Sequence, residues 1–275
     1  MPNKLTSEIR PAASITPSER ATLFALFSRH YADVSEATFA RDLSQKDHII
    51  LLSRGTTGPL VGFSTQVVEP YQIDGQTIRV LFSGDTIIDP KHWGEQELVR
   101  SWCRYAGAAL AEAQSASEPL YWLLISKGYR TYLFLPLFFN RYHPGPHEEP
   151  ELHSLASKIA RQRFGGAYHP SSGTLRFPKS CGHLRGTLAD ISEKRRTTPH
   201  VQLFLSKNPG FATGDELVCL APITETNLRS FAKRSLQEGL QTNPLQSQNP
   251  PPRLCGSAPD TSKAIAPLAA THTDP

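Results

Sequence analysis

The chain has 275 residues, 39% hydrophobic and 20% charged, with a formal net charge of +4. The positive residues are scattered, apart from a short cluster at Lys194, Arg195 and Arg196 that reads as a solvated loop, so the charge pattern argues against a nucleic-acid binder. No apolar run approaches the length needed to span a bilayer, and the polar start MPNKLTSEIRP lacks the apolar core of a signal peptide.

Residues 1–14 are polar and Pro-bearing and are expected to be flexible. Thr16-Pro17-Ser18-Glu19 then carries the signature of a capped helix start, with Thr16 as N-cap and Glu19 completing a capping box, and the helix is predicted to run to His30. A second, shorter helix is predicted from Ser35 to Leu43. The pattern then changes to strands: HIILLS at 48–53, a Gly-rich turn, LVGFSTQVV at 60–68, a second turn at Asp74-Gly75, and a third strand over 77–88. That third strand holds the small pair Ser83-Gly84 and a single carboxylate, Asp85, among apolar neighbours. Such a break marks either a β-bulge capped by neighbouring amides or a place where a substrate approaches the backbone.

Asp89-Pro90 closes the strand, and from Glu95 to Gln114 the apolar residues Leu98, Val99, Trp102, Tyr105, Ala106, Ala109 and Leu110 define one broad helix face. The buried-type run LYWLLI at 120–125 follows, and a strand-helix-strand order favours a parallel pair. Aromatics crowd the next stretch, Tyr129, Tyr132, Phe134, Phe138, Phe139 and Tyr142, which reads either as core or as the wall of an apolar substrate tunnel. Residues 143–150 look like a boundary, 151–164 a helix, 183–191 a weak strand, 201–205 a short apolar segment, 216–220 a strand and 224–238 a helix. Beyond residue 240 the composition turns to Pro, Ser, Thr, Ala and Asn, and 241–275 is expected to be a disordered tail.

The four cysteines, Cys103, Cys181, Cys219 and Cys255, show no paired spacing and read as reduced thiols of a cytoplasmic protein. His143, His147 and His153 lie near one another in sequence, but no Cys accompanies them and no metal site is assigned. No nucleophile elbow, P-loop or dinucleotide fingerprint is present.

The order over residues 15–142, two helices, a hairpin, a third strand ending in Asp-Pro, a helix and a crossover strand, resembles the GCN5-related N-acetyltransferase (GNAT) superfamily. The resemblance implies an α/β (α+β) fold with a mixed, mostly antiparallel sheet flanked by helices, divided into a core at 15–145 and a carboxyl-terminal extension at 146–240. It implies no permanently bound cofactor, but a thioester co-substrate, acyl-coenzyme A or an acyl carrier protein's thioester. Thr86, Ile87 and Ile88 would face its pantetheine arm. The family's phosphate motif falls on Lys91-His92-Trp93-Gly94-Glu95-Gln96, where Lys91, Trp93 and Gly94 would contact the donor. Gln96 stands where Gly or Ala is expected, and Glu95 and Glu97 put negative charge beside a phosphate site.

The function implied is acyl transfer from that thioester to an amine or hydroxyl of a small or lipid-like acceptor; the rival is a catalytically inactive module that binds a protein or ligand. In the first reading Asp85 is the general base, Tyr132 (or Tyr129) protonates the leaving thiolate, Ser83 and Lys127 contact substrate, and Phe134 and Phe138 line the acyl path.

Overall fold

The computed structural model describes residues 4–177, 183–184 and 191–242. The first element is a strand, β1 (Leu5–Pro11), followed by α1 (Pro17–His30), a two-residue strand β2 (Tyr31–Ala32), α2 (Glu36–Leu43), β3 (His48–Arg54), β4 (Leu60–Ile73), β5 (Gln76–Ile88), α3 (Glu97–Ser115) and β6 (Leu120–Ser126). Two short helices, α4 (Tyr129–Tyr132) and α5 (Phe134–Phe138), lead to α6 (Pro150–Phe164), β7 (Tyr168–His169), β8 (Thr174–Leu175) and β9 (His183–Leu184). The chain ends in α7 (Glu193–Arg196), α8 (Pro199–Lys207), β10 (Glu216–Pro222) and α9 (Ser230–Thr242).

One eight-stranded sheet runs in the order β1-β3-β4-β5-β6-β10-β8-β7, with β2 and β9 paired apart from it. Every neighbouring pair is antiparallel except β5–β6, which is parallel because α3 carries the chain back between them. Alternate side chains go to opposite faces. Ile50, Leu52 and Leu81 pack with Trp102, Tyr105 and Ala109 of α3, whereas Ile49 and Leu51 pack with Leu23 and Phe27 of α1 and Phe39 and Leu43 of α2. Val80 and Phe82 join Leu152, Ala156 and Ile159 of α6 on that second face. The sheet is therefore mixed, mostly antiparallel and covered on both sides by helices.

The helix starts written in local chemistry appear where expected. Thr16 accepts from the Glu19 amide while the Glu19 carboxylate accepts from the Thr16 amide, and Ser35 caps α2. The hairpin turns at Asp74-Gly75, and Pro70 sits within β4 because that strand has only β5 beside it beyond Gln66.

Several boundaries differ from the expectation. Residues 1–14 were expected to be flexible, yet Leu5–Pro11 pairs in full register with β3 and Leu5 is buried. The order there comes from β3, whose outer backbone groups need partners, and not from the segment's own composition. The apolar segment at 201–205 is part of helix α8, led by Pro199 in its first turn, with Val201 and Phe204 on its buried side. The last helix starts at Ser230, because Thr224 instead closes a turn by accepting from the Asn227 amide. That helix also continues to Thr242, two residues into the segment expected to be a disordered tail; the rest of that segment, and most of the weak strand at 183–191, lie outside the described residues. The basic cluster at 194–196 lies in the exposed four-residue helix α7. β10 enters the same sheet beside β6, so the carboxyl-terminal extension continues the core sheet.

α9 crosses α3 at two glycines. A Cβ on Gly107 would lie 2.1 Å from the Leu236 carbonyl oxygen, and one on Gly239 would lie 2.0 Å from that of Arg104. The two backbones touch there, which no larger residue permits. We expect Gly107→Ala to cost about 1–3 kcal/mol by forcing the helices apart, seen as a fall in Tm of about 2–4 °C for each kcal/mol. An unchanged Tm would mean that α9 shifts at no cost.

Candidate functional site

The parallel pairing of β5 with β6 runs from Arg79 opposite Leu120 to Ser83 opposite Leu124 and stops. At the same point the register with β4 slips: Ser64 faces Thr86 and Gln66 faces Ser83, so Gly84 and Asp85 together oppose Thr65. This is a β-bulge. Only glycine fits at position 84, where a Cβ would come within 2.5 Å of Thr65 Oγ1 and 2.9 Å of Lys46 Cε. The extra residue keeps Ser83 and Thr86 on the α3 face and turns Asp85 to the face carrying α2.

On the α3 face the split opens into a groove. Ser64, Ser83 and Thr86 form its polar side, and Leu98, Trp102, Trp122, Leu124, Phe134 and Phe138 its apolar side. Its interior measures about 30 Å³, room for roughly two water-sized groups. Phe138 lies flat on Trp102 with ring centroids 5.1 Å apart, and Phe134 stacks on Phe138 at 5.6 Å. The floor is fixed by hydrogen bonds. Both indole N–H groups, of Trp102 and Trp122, donate to Ser83 Oγ at 3.1 and 2.9 Å, and Ser83 Oγ donates to Gln66 Oε1 at 2.7 Å. Gln66 Nε2 donates in turn to Ser64 Oγ, which pairs with Thr86 Oγ1 at 2.7 Å. Ser83, expected to contact substrate, has its hydrogen-bonding capacity filled by protein.

Asp85, half-buried, accepts no hydrogen bond and forms no ion pair among the described residues. Burial, with the Asp42 carboxylate adding to it, pushes its carboxyl up to about 7, against the opposing pull of the Lys46 and Lys127 ammonium groups. Lys46 pairs with Asp42 at 2.8 Å, and Lys127 with the buried Glu216 at 3.3 Å. Glu216 is raised by burial more than Lys127 lowers it. Tyr31 completes the surroundings, its ring 5.6 Å below Lys127 Nζ and its phenol pushed up by burial and by Asp85 and Glu216. Of these neighbours only Lys127 stood out in the sequence; Asp42, Lys46, Glu216 and Tyr31 carry no local signal and are assembled from four separate elements.

The start of α3 lies at the other end of the split. Gly94 adopts φ 97°, a left-handed conformation, and turns the chain into the helix. The two acidic residues there are engaged sideways. Glu95 accepts from the Leu5 amide and pairs with His92 Nδ1 at 2.7 Å, while Glu97 accepts from Ser7 Oγ at 2.6 Å and from Arg104 at 3.2 Å. Lys91 points to solvent, its amide donating to Asp89. The exposed Trp93 donates its indole N–H to the Ile88 carbonyl at 3.1 Å, and its ring lies 4.7 Å from the Arg130 guanidinium. Thr86 lines the groove, Ile87 is buried against α1 and α2, and Ile88 is half-buried at the strand end.

The two tyrosines differ. Tyr132 is fully buried and its hydroxyl donates to the Pro144 carbonyl at 2.8 Å, beside Phe204 and away from the groove lining. Tyr129 is also buried, beneath Arg130, and its hydroxyl has no hydrogen-bond partner among the described residues. His143 Nε2 and His153 Nδ1 lie 3.2 Å apart, but no group of three or more metal-ligating side chains occurs among the described residues.

The sheet is thus mixed and mostly antiparallel, parts beyond its one parallel pair, and has α3 entering behind the split. No protein-family model matches the sequence, and no curated protein matches it. Among solved structures it is similar to a conserved protein of Enterococcus faecalis described as a probable N-acyltransferase (13% identity, TM-score 0.37, 50% of this chain and 33% of that one). It is also similar to a GNAT family N-acetyltransferase of Escherichia coli in complex with CoA (15%, 0.32, 46% and 64%) and to an acetyltransferase of Trypanosoma brucei (16%, 0.35, 53% and 99%). The chain thus spans a third of the length of the first and just under two thirds of the second.

Removing the Ser83 hydroxyl strands two buried indole donors and one amide oxygen. We expect Ser83→Ala to lower stability by about 1–3 kcal/mol for each group left unsatisfied, read by urea denaturation. A loss well under 1 kcal/mol would show that the network repairs itself.

Proposed function

We propose that this protein is an acyltransferase that moves an acyl group from a thioester donor, acyl-coenzyme A or an acyl carrier protein's thioester, to an amine or hydroxyl of a small or lipid-like acceptor. The observation that carries the reading is Asp85, a carboxylate without a hydrogen-bond or ion-pair partner among the described residues, at the bulge where the strands part, with its affinity for protons raised towards neutrality by burial. As the acceptor nitrogen or oxygen bonds to the thioester carbon and the carbon–sulfur bond breaks, Asp85 takes the acceptor's proton. Tyr129, on the first turn of α4, returns a proton to the thiolate; it is preferred to Tyr132, whose hydroxyl already serves Pro144. The arm of the donor lies along Thr86–Ile88, with Trp93, Gly94 and Lys91 at its phosphate end and its thioester in the split itself, Phe134 and Phe138 lying beside the acyl group on the α3 face and Asp85 and Lys127 on the opposite, acceptor face. Burial of the free thiols Cys103 and Cys219 fits a reducing compartment, the cytoplasm. No helix among the described residues is long and apolar enough to cross a membrane.

The rival reading, a non-catalytic binding module, is favoured by Trp93, whose indole occupies the Ile88 carbonyl that a donor arm would use. Thermal shift separates the two: acetyl-coenzyme A at a hundred times its Kd stabilises by about 2.7 kcal/mol, and no stabilisation by acetyl-coenzyme A or free coenzyme A favours the binding module.

Asp85 also ties activity to pH. A carboxyl raised on folding contributes stability that is full below its unfolded value and is lost as pH rises through about 7. Transfer needs the ionised base, so the rate climbs over the range in which that stability is lost. Asp85→Asn should therefore remove the climb and cut transfer from acetyl-coenzyme A by about 10²- to 10⁴-fold, with stability at pH 8 equal to or above that of the wild type. Wild-type turnover by the folded variant, across a panel of amine and hydroxyl acceptors, would remove Asp85 from the mechanism.

A further inference from the structure

Lys46 lies in the turn after α2 with its side chain only 4% exposed. Its ammonium is laid against the bulge: a Cβ at Gly84 would lie 3.3 Å from Nζ, which also sits 5.5 Å above the Phe82 ring. Burying an ammonium costs several kcal/mol, and a pair whose other member is exposed recovers little of it, so stability alone is a poor reason for this placement. Asp42, the partner, is 42% exposed on its side chain.

Among the described residues, the charges facing Asp85 come from several elements: Asp42 on α2, Lys46 in the following turn, Tyr31 on β2, Lys127 after β6 and Glu216 on β10. Four of them form two ion pairs, Lys46 with Asp42 and Lys127 with Glu216. Asp85 lies within reach of both without bonding to either. Lys46 and Asp42 act on it in opposite directions, and removing one member of that pair leaves the other acting on it uncompensated.

We propose that Lys46 and Asp42, an ion pair held against the Gly84–Asp85 bulge, are positioning residues that set the charge state of the Asp85 base, Lys46 holding it ionised and Asp42 opposing ionisation. The proposal rests on the acyltransferase reading for its purpose, but not for its test. Lys46→Met keeps the packing of the buried stem and removes the charge, and Asp42→Asn keeps the shape of its exposed partner.

The experiment is carbon-13 NMR on the full chain labelled at aspartate, with the Asp85 Cγ signal assigned by its disappearance in Asp85→Asn. We expect the wild-type signal to titrate near pH 7, Lys46→Met to move the midpoint up by about one unit or more, and Asp42→Asn to move it down. Opposite displacements support the proposal, because a merely structural role of the pair lowers Tm without moving the midpoint in two directions. A midpoint unchanged in both folded variants overturns it, as does displacement in the same direction. Should Lys46→Met fail to fold, Asp42→Asn alone decides, by moving the midpoint down or leaving it. Transfer from acetyl-coenzyme A, assayed on the same proteins, should rise with pH about the same midpoints. If no acceptor is acylated by the wild type, the acyltransferase reading fails, while the titration still decides the electrostatic role.

Discussion

Two residues facing one, Gly84 and Asp85 against Thr65, are the local irregularity on which the site depends. Without the bulge, Ser83 and Asp85 would share a face and the carboxylate would be pressed against the indoles of Trp102 and Trp122. With it, Ser83 and Thr86 stay on the groove side and Asp85 turns to the opposite face, among polar neighbours. Parallel pairing with β6 ends at the same residue, so the sheet parts where its backbone is already distorted. A strand so interrupted is weak in isolation. Here it is held by the hydrogen bonds that converge on Ser83 and by α3 packed behind it.

The same economy governs charge. The start of α3 carries Glu97 in its first turn and Glu95 just before it, which beside an isolated helix would simply complement its dipole. Here they also bind the amino-terminal strand, through the Leu5 amide and Ser7, with His92 as a further hydrogen-bond partner and Arg104 as a counter-charge. Their carboxylates are thus drawn towards β1, and the acidity that counts against a phosphate site in the bare motif is partly spent on holding the edge strand. Around Asp85 the arrangement is reversed: the two lysines have their own carboxylate partners, and the central carboxylate has none among the described residues. A group left in that condition shifts its proton affinity instead of paying the full cost of buried charge.

The groove itself is narrow. Phe138 stacks against both Trp102 and Phe231 of α9, and α9 is locked to α3 through Gly107 and Gly239. The carboxyl-terminal helix therefore buttresses one wall of the groove, and any widening of that wall works against a backbone-to-backbone helix contact. The aromatic run after β6, open in the sequence to reading as core or as a tunnel, is both core and lining, since Phe138 does each with a different part of its surface.

What the sequence determined by itself was whatever depends on near neighbours. The capping box at Thr16 and Glu19, the Asp74-Gly75 turn, the apolar face of α3 and the oddity of Ser83-Gly84-Asp85 are all written within a few residues, because caps, turns and periodicity are short-range physics. Tertiary structure alone decided that Leu5–Pro11 is a strand, since its partner β3 is distant in sequence and supplies the hydrogen bonds that its composition does not demand. It alone showed what the hydroxyls of Tyr132, the first choice from the sequence, and Tyr129, its substitute, meet: the Pro144 carbonyl in one case and no partner among the described residues in the other. It alone brought Asp42, Lys46, Lys127 and Glu216 around Asp85. A charged residue in a sequence reads as solvent-facing by default, and its effect on another group depends on burial and distance, quantities that do not exist until the sheet has closed and the helices have packed against it.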